Sequence, residues 1–240
     1  MENFDPKIGE RFQEETKYFR PAHWPRYEEP ALPSLSGKIV RLSPNLPQAG
    51  PDVWTVLKSR RSIRDYLPTP LPLPDLANLL WATQGITGDS SSLWYRTAPS
   101  AGALHPIDTY LVIRQVKDLD PGIYFLRLPE FALEMKKSGD FSNQIAHAAL
   151  EQEMARSAAL VFVWVAVIRR SSQKYRQRAY RYIYLDCGHI AQNLYLAATA
   201  LGLGCCAMAA FFDEEVNALV AVDGREQTAI YLAAVGPREG

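Results

Sequence analysis

The spacing of hydrophobic positions changes several times along this chain, and each change marks an element. Val53, Trp54, Val56 and Leu57, entered through Pro51-Asp52, predict a short helix that runs into Arg60-Arg61. Pro74-Asp75 opens a second helix, with Leu76, Leu79, Leu80 and Thr83 on one face. From 108 to 135 the pattern turns to β, with strands over 109–113, 123–128 and 131–135 separated by Pro-Gly and Pro-Glu turns. Residues 142–150 read as a helix. Residues 159–168, rich in β-branched side chains, predict a central strand buried on both faces. The longest element is expected over 172–201, where Tyr180, Ile183, Tyr184, Cys187, Ile190, Ala191, Leu194, Ala198 and Leu201 recur at helical steps on one broad buried face. Gly202 and Gly204 stop it. A short strand near Cys206, a helix over 213–222 and a strand over 228–235 complete the chain. Interspersed strands and helices without an internal repeat predict an α+β fold, helices packed on a mainly antiparallel or mixed central sheet.

Twelve of the 17 prolines fall in the first 74 residues. Proline fixes φ and lacks an amide donor, so residues 21–47 are expected as extended coil, neither helix nor sheet. Phe12, Tyr18, Phe19, Trp24 and Tyr27 sit near or within this stretch. Aromatics are scarce in disordered tails, so 1–50 is read as an arm packed on a body formed by 51–240. With 240 residues, 48% of them hydrophobic, the chain can hide roughly 70% of its unfolded surface. Lys+Arg 26 balance Asp+Glu 26, which argues against a nucleic-acid partner. The most apolar run, 158–168, is too short for a bilayer, which takes about 20 residues. No secretion signal is visible at the start, so a cytoplasmic protein without a membrane partner is expected. Cys187 and the adjacent Cys205 and Cys206 make neither a disulfide framework nor a CxxC motif.

Four segments carry candidate chemistry. Arg60, Arg61, Ser62 and Arg64 bring three guanidinium groups and a hydroxyl into five residues, suited to charge-assisted bonds to a phosphate. The same arginines also suit a helix C-terminus, where they offset the dipole. Residues 99–106 begin with Pro99, Ser100, Ala101 and Gly102; such small residues let a backbone approach a flat ligand, or make a tight connection before a strand. Gly202, Gly204 and Ala207 match the GxGxxA dinucleotide pattern in letters only. A helix is expected before it and a strand after it, the reverse of what a phosphate site requires. Ala207, Ala209 and Ala210 fit close packing on a planar ring, or a crowded core. Finally, Arg169, Arg170, Lys174, Tyr175, Arg176, Arg178 and Arg181 place cations at the start of the expected long helix, against its dipole. Such conflicts often mark function, and a Lys beside a Tyr suits proton transfer; a solvated basic turn is the alternative. His23, His105, His147 and His189 show no metal-ligand spacing, so no metal is expected. A GxSxG elbow and a P-loop are both absent from the sequence.

Taken in order, the segments SRRSIRDY, LLWATQGIT, APSAGALHP, PGIYFL, KYRQRAYRYIYLDCGHIAQNLYLAA, LGLG and AAVG resemble the nitroreductase superfamily of FMN enzymes. Within it they resemble the SagB/ThcOx-type dehydrogenases, and ETKYF near the N-terminus is similar to that branch as well. The resemblance covers about residues 55–237. It implies an α+β homodimer with two FMN sites at the subunit interface. Arg60, Arg61, Ser62 and Arg64 would hold the phosphate and part of the ring. Pro99, Ser100, Ala101 and Gly102 would come from the partner subunit beside the flavin. Ala207, Met208, Ala209 and Ala210 would flank the isoalloxazine near N5, and Arg238 would approach the phosphate. Lys174 and Tyr175 match a catalytic Lys-Tyr pair of azoline dehydrogenases. Two departures stand out: typical nitroreductases carry Asn and Gln where this chain has Ala103 and His105, and CCAMAA lacks the Pro or Gly common there.

The activity so implied is an FMN-dependent oxidation. If the activity follows that branch, Lys174 or Tyr175 would remove a proton from a peptide azoline, hydride would pass to flavin N5, and oxygen would reoxidise the flavin. Two alternatives remain: an NAD(P)H-dependent reductase of small nitroaromatics or quinones, and a non-catalytic flavin-binding or partner subunit of a modification complex.

Overall fold

The computed structural model describes residues 7–17, 37–90 and 93–239. Seven strands form one sheet, in the order β1 (Ile39–Arg41), β6 (Ala132–Ser138), β5 (Gly122–Arg127), β4 (Ile107–Ile113), β7 (Leu160–Val167), β9 (Gln227–Pro237) and β8 (Leu203–Met208). Every neighbouring pair is antiparallel. Helices cover both faces, and the fold is α+β as the pattern predicts.

Side chains alternate across a strand, and this alternation divides the core in two. Leu160, Phe162, Trp164 and Ala166 of β7 face α3 (Leu73–Gln84) and α7 (Ala179–Ala200). Val161, Val163 and Val165 face α4 (Ser142–Ala148), α5 (Glu153–Ser157) and α8 (Asp213–Val220). Each such side chain, fully buried, contributes about 1.5–3 kcal/mol. The same alternation separates the adjacent cysteines: Cys205 joins the first core and Cys206 the second, both as buried free thiols.

Three local expectations change, and one segment without an expected element takes on structure. Residues 39–41 are sheet, not coil: β1 pairs with β6 in a stretch, 34–43, that holds no proline, so its amides can join an edge. Residues 86–96 form a hairpin, β2 (Ile86–Ser90) with β3 (Leu93–Arg96). The long helix is broken, with α6 (Ile168–Tyr175), a 3-10 turn (Arg176–Arg178) and then α7. The break sits at Arg176, whose φ is +50°. On α7, Tyr184 is 55% exposed although its spacing placed it on the buried face, while Asp186 is buried.

Helix α1 (Ile8–Glu15) is tied to the 3-10 turn and to α7. Arg178 donates to the Thr16 carbonyl, and Arg181 donates to Thr16 Oγ1 and to the carbonyls of Phe12 and Gln13. These carbonyls lie at the C-terminal end of α1, where the helix dipole favours a cation; the Phe12 carbonyl also accepts from the Thr16 amide. Tyr18, Phe19, Trp24 and Tyr27 lie outside the described residues.

Candidate functional site

One group of expected site residues gathers at the β8 edge of the sheet. Helix α2 (Val53–Ser59) is capped by Asp52, which accepts from the amides of Trp54 and Thr55. It delivers the next segment to β8, where the Ile63 amide donates to the Cys205 carbonyl at 3.0 Å. Tyr66 fixes this course by donating to the carbonyls of Ile63 and Ala234. Its ring lies over Gly204 and Gly236, where an added Cβ would come within 3.0 and 3.1 Å of it. Only glycine leaves the ring that close.

Tyr195 of α7 ties this group together. Its hydroxyl accepts from the Ala207 amide at 2.8 Å and pairs with Ser62 Oγ at 3.0 Å. The Arg60 guanidinium stands over its ring, 5.3 Å from the centroid. Burial pushes the Tyr195 phenol above its ordinary pKa, and the Ser62 bond opposes that shift. Arg238 joins from the end of β9, donating to the Gly202 carbonyl at 3.3 Å. Arg61 instead folds back on the carbonyls of Lys58 and Arg60, the helix-terminus role for this one arginine. Arg64 is exposed and reaches only the Ser62 carbonyl, at 3.5 Å. Ala209 and Ala210 are exposed beyond β8, whereas the Met208 side chain is buried in the second core. Met208 therefore offers a ligand its backbone alone.

The remaining expected residues gather elsewhere. The β2–β3 hairpin leads into the loop 99–105 and is anchored by Arg96, which donates to Gln84, and Gln84, which donates to Thr109. In the loop, Gly102, Ala103 and His105 have φ of +65°, +55° and +44°. Left-handed backbone costs a non-glycine residue roughly 1–2 kcal/mol, so two of the three are held against strain. Ser100 Oγ donates to Asp186 at 2.6 Å and accepts from the His105 amide at 2.9 Å; the Ala101 amide donates to Asp186 at 3.1 Å. Gly102 faces α6, and an added Cβ would stand 2.5 Å from Tyr175 Oη and 2.8 Å from Lys174 Nζ. Pro99 lies exposed at the start of the loop.

Lys174 occupies the last turn of α6, not the first turn of a long helix. A cation there is favoured by the dipole, so the expected conflict is absent at this residue. Arg170 likewise has a partner, Asp108, at 2.5 Å. Tyr175 packs edge-on against Tyr182, ring centroids 4.7 Å apart.

Burial and the Arg96 charge hold His105 down to about 4, so its imidazole is neutral near pH 7, with Nε2 3.1 Å from the Trp94 carbonyl. Burial pushes the Asp186 carboxyl up, while the bonds from Ser100 and Ala101 and the nearby His189 pull it back. Asp186 and Tyr195, which organise the two groups, lie nine residues apart on one helix. That spacing is about 13 Å along the axis and about half a turn around it. The two groups therefore sit on opposite sides of α7, and one chain does not bring them face to face.

The model of the nitroreductase family matches residues 57–237. The chain belongs to the nitroreductase family. That places it among oxidoreductases. It is 34% identical over 167 residues to MJ1384 of Methanocaldococcus jannaschii, a protein that carries the nitroreductase name, covering 70% of this chain and 83% of that one. It is 31% identical over 113 residues to the trifolitoxin-processing protein TfxB of Rhizobium leguminosarum bv. trifolii, covering 45% of this chain and 30% of that one. A solved structure of the nitroreductase type from Anabaena variabilis superposes with a TM-score of 0.81 at 25% identity, over 99% of this chain and 49% of that one. The chain thus spans about half of the Anabaena protein and under a third of TfxB.

In this nitroreductase-family chain, residue patterns alone passed over Tyr195, Asp186 and the hairpin that carries Trp94. Asp186 left a trace in the sequence: it falls on the Ile183–Cys187–Ile190 stripe, where a charge is costly without a purpose. Among the described residues, no helix is long and apolar enough to cross a membrane. No group of three or more His, Cys, Asp or Glu there is placed to hold a metal.

Proposed function

We propose that this chain is an FMN-dependent oxidoreductase acting as a homodimer, closest in activity to the SagB/ThcOx-type azoline dehydrogenases. The observation that carries this reading is the division of the site. The group around Tyr195, with Arg60 over its ring, and the small-residue loop against Lys174 and Tyr175 lie on opposite sides of α7, so the loop of one chain completes the site of another. Exposed apolar side chains on α2 (Val53, Trp54, Leu57) and α7 (Tyr184, Leu185) offer a face on which a second copy can pack.

The residues fit the cofactor. Arg60, Arg64 and Arg238 with the Ser62 hydroxyl form a donor set suited to a phosphate. Ala207, Ala209 and Ala210 put no bulk against a flat ring. Bound there, FMN supplies a two-electron acceptor. Around it, Tyr195 orients Ser62 and the Ala207 amide, and Gly102 leaves Lys174 and Tyr175 room beside the loop. Lys174 or Tyr175 takes the proton from a ring carbon of a peptide azoline. The peptide substrate is favoured by the Lys-Tyr pair and by the similarity to a trifolitoxin-processing protein.

A second reading, an NAD(P)H-dependent nitro or quinone reductase, is favoured by the similarity to MJ1384. The visible spectrum of the purified protein, followed by two assays, separates them. The first reading expects a yellow protein that oxidises a thiazoline-containing peptide in air. Rapid bleaching by NADPH without azoline oxidation would move the assignment to the second. A preparation that stays colourless after incubation with excess FMN would overturn both.

A further inference from the structure

We propose that Asp186 is a positioning residue: from inside the core it holds the 100–105 loop closed and so sets where Gly102 stands against Lys174 and Tyr175. The role in turnover rests on the function proposed above; the clamp itself does not. One carboxylate secures both ends of the loop. Its oxygens accept from Ser100 Oγ and the Ala101 amide at the start, and Ser100 Oγ in turn accepts from the His105 amide at the end. Between these bonds the backbone passes through three residues of positive φ, two of them not glycine. Such a course persists only where surrounding contacts dictate it.

The setting of Asp186 supports a role beyond packing. The residue is 4% exposed, on a helix face otherwise built from Ile183, Cys187 and Ile190. An apolar residue there would avoid the cost of burying a charge. Its partners are a hydroxyl and an amide of one loop, and that loop's next residue touches the Lys-Tyr pair. Behind the clamp, a small space of about 10 Å³ has a mixed lining that includes Arg96, Asp186, Ile107 and Ile190, so the loop has little room to settle inward.

The test compares the full-length protein with Asp186→Asn and Ser100→Ala. Three quantities are read: amide exchange across 99–106, labelling of Lys174 by an amine-reactive reagent, and kcat with KM. In both variants the loop amides should exchange at least about 10-fold faster. Lys174 labelling should change several-fold, and kcat should fall by about 10-fold or more with KM little altered. Asp186→Asn should melt no lower than the parent at pH 7, because a buried charge has been removed. Unchanged exchange would overturn the clamp. Faster exchange with unchanged labelling and kcat, or an activity loss matched by a lower melting temperature, would overturn the positioning role. If the parent protein is colourless, the proposed function fails, and exchange and labelling still decide the clamp.

Discussion

Lys174 and Tyr175 end one helix at the point where a glycine of another segment touches them, so small changes there have predictable consequences. Lys174→Ala leaves the arginines and Tyr195 in place. It should retain flavin while slowing azoline oxidation by at least about 100-fold, the usual span of a general base; single-turnover kinetics with the flavin spectrum checks both halves. Normal turnover would remove Lys174 from the proton-transfer step. His105 gives a second prediction. Its folded pKa is lowered to about 4 from 6.5, so the unfolded chain takes up a proton first as pH falls. Its contribution is therefore present above about 6.5 and lost on acidification toward about 4. His105→Gln should gain on the parent between pH 7.5 and 5 by on the order of 1–2 kcal/mol, allowing for partial exposure. Denaturant melts at the two pH values measure it.

The elements that position these residues were legible to different degrees. Helix α3 and strands β4, β5, β7 and β9 carry long unbroken periodicities, and their places follow from the sequence. The β2 and β3 strands are five and four residues long, and β2 itself contains Gly88 and Asp89, which are poor strand formers, so the hairpin carrying the loop to Gly102 left little signal. Between α6 and α7 the apolar spacing runs on, but the chain turns at Arg176. The bonds of Arg178 and Arg181 to the end of α1 account for a run of cations that looked misplaced on one continuous helix. A third prediction belongs here. Arg181→Ala removes three bonds to the α1 terminus and the contact of its guanidinium with the Phe12 ring. Exchange over residues 8–15 should rise at least about 10-fold, with exchange in the central strands unchanged. Unaltered exchange in α1 would mean that other contacts hold it.

At the scale of the whole molecule, the sequence segments named the candidate site residues but not their division. Arg60 and Gly102 both lie near α7, yet helix geometry sends their groups to opposite sides. That separation depends on Asp186 and Tyr195, which residue patterns did not single out. The family resemblance supplied the expectation of a dimer, and the division of the two groups around α7 supports proposing one. The direct measurement is complementation between chains. Arg60→Ala/Arg64→Ala impairs the pocket, and Gly102→Val impairs the loop through a Cβ that meets Tyr175 and Lys174. Each variant alone should bind FMN weakly. After unfolding and co-refolding at equal amounts, half of the dimers are mixed and each holds one intact site, so about a quarter of parental FMN binding should return. Recovery near that level supports a site shared between two chains; no recovery, from variants that each form normal dimers, would contradict it.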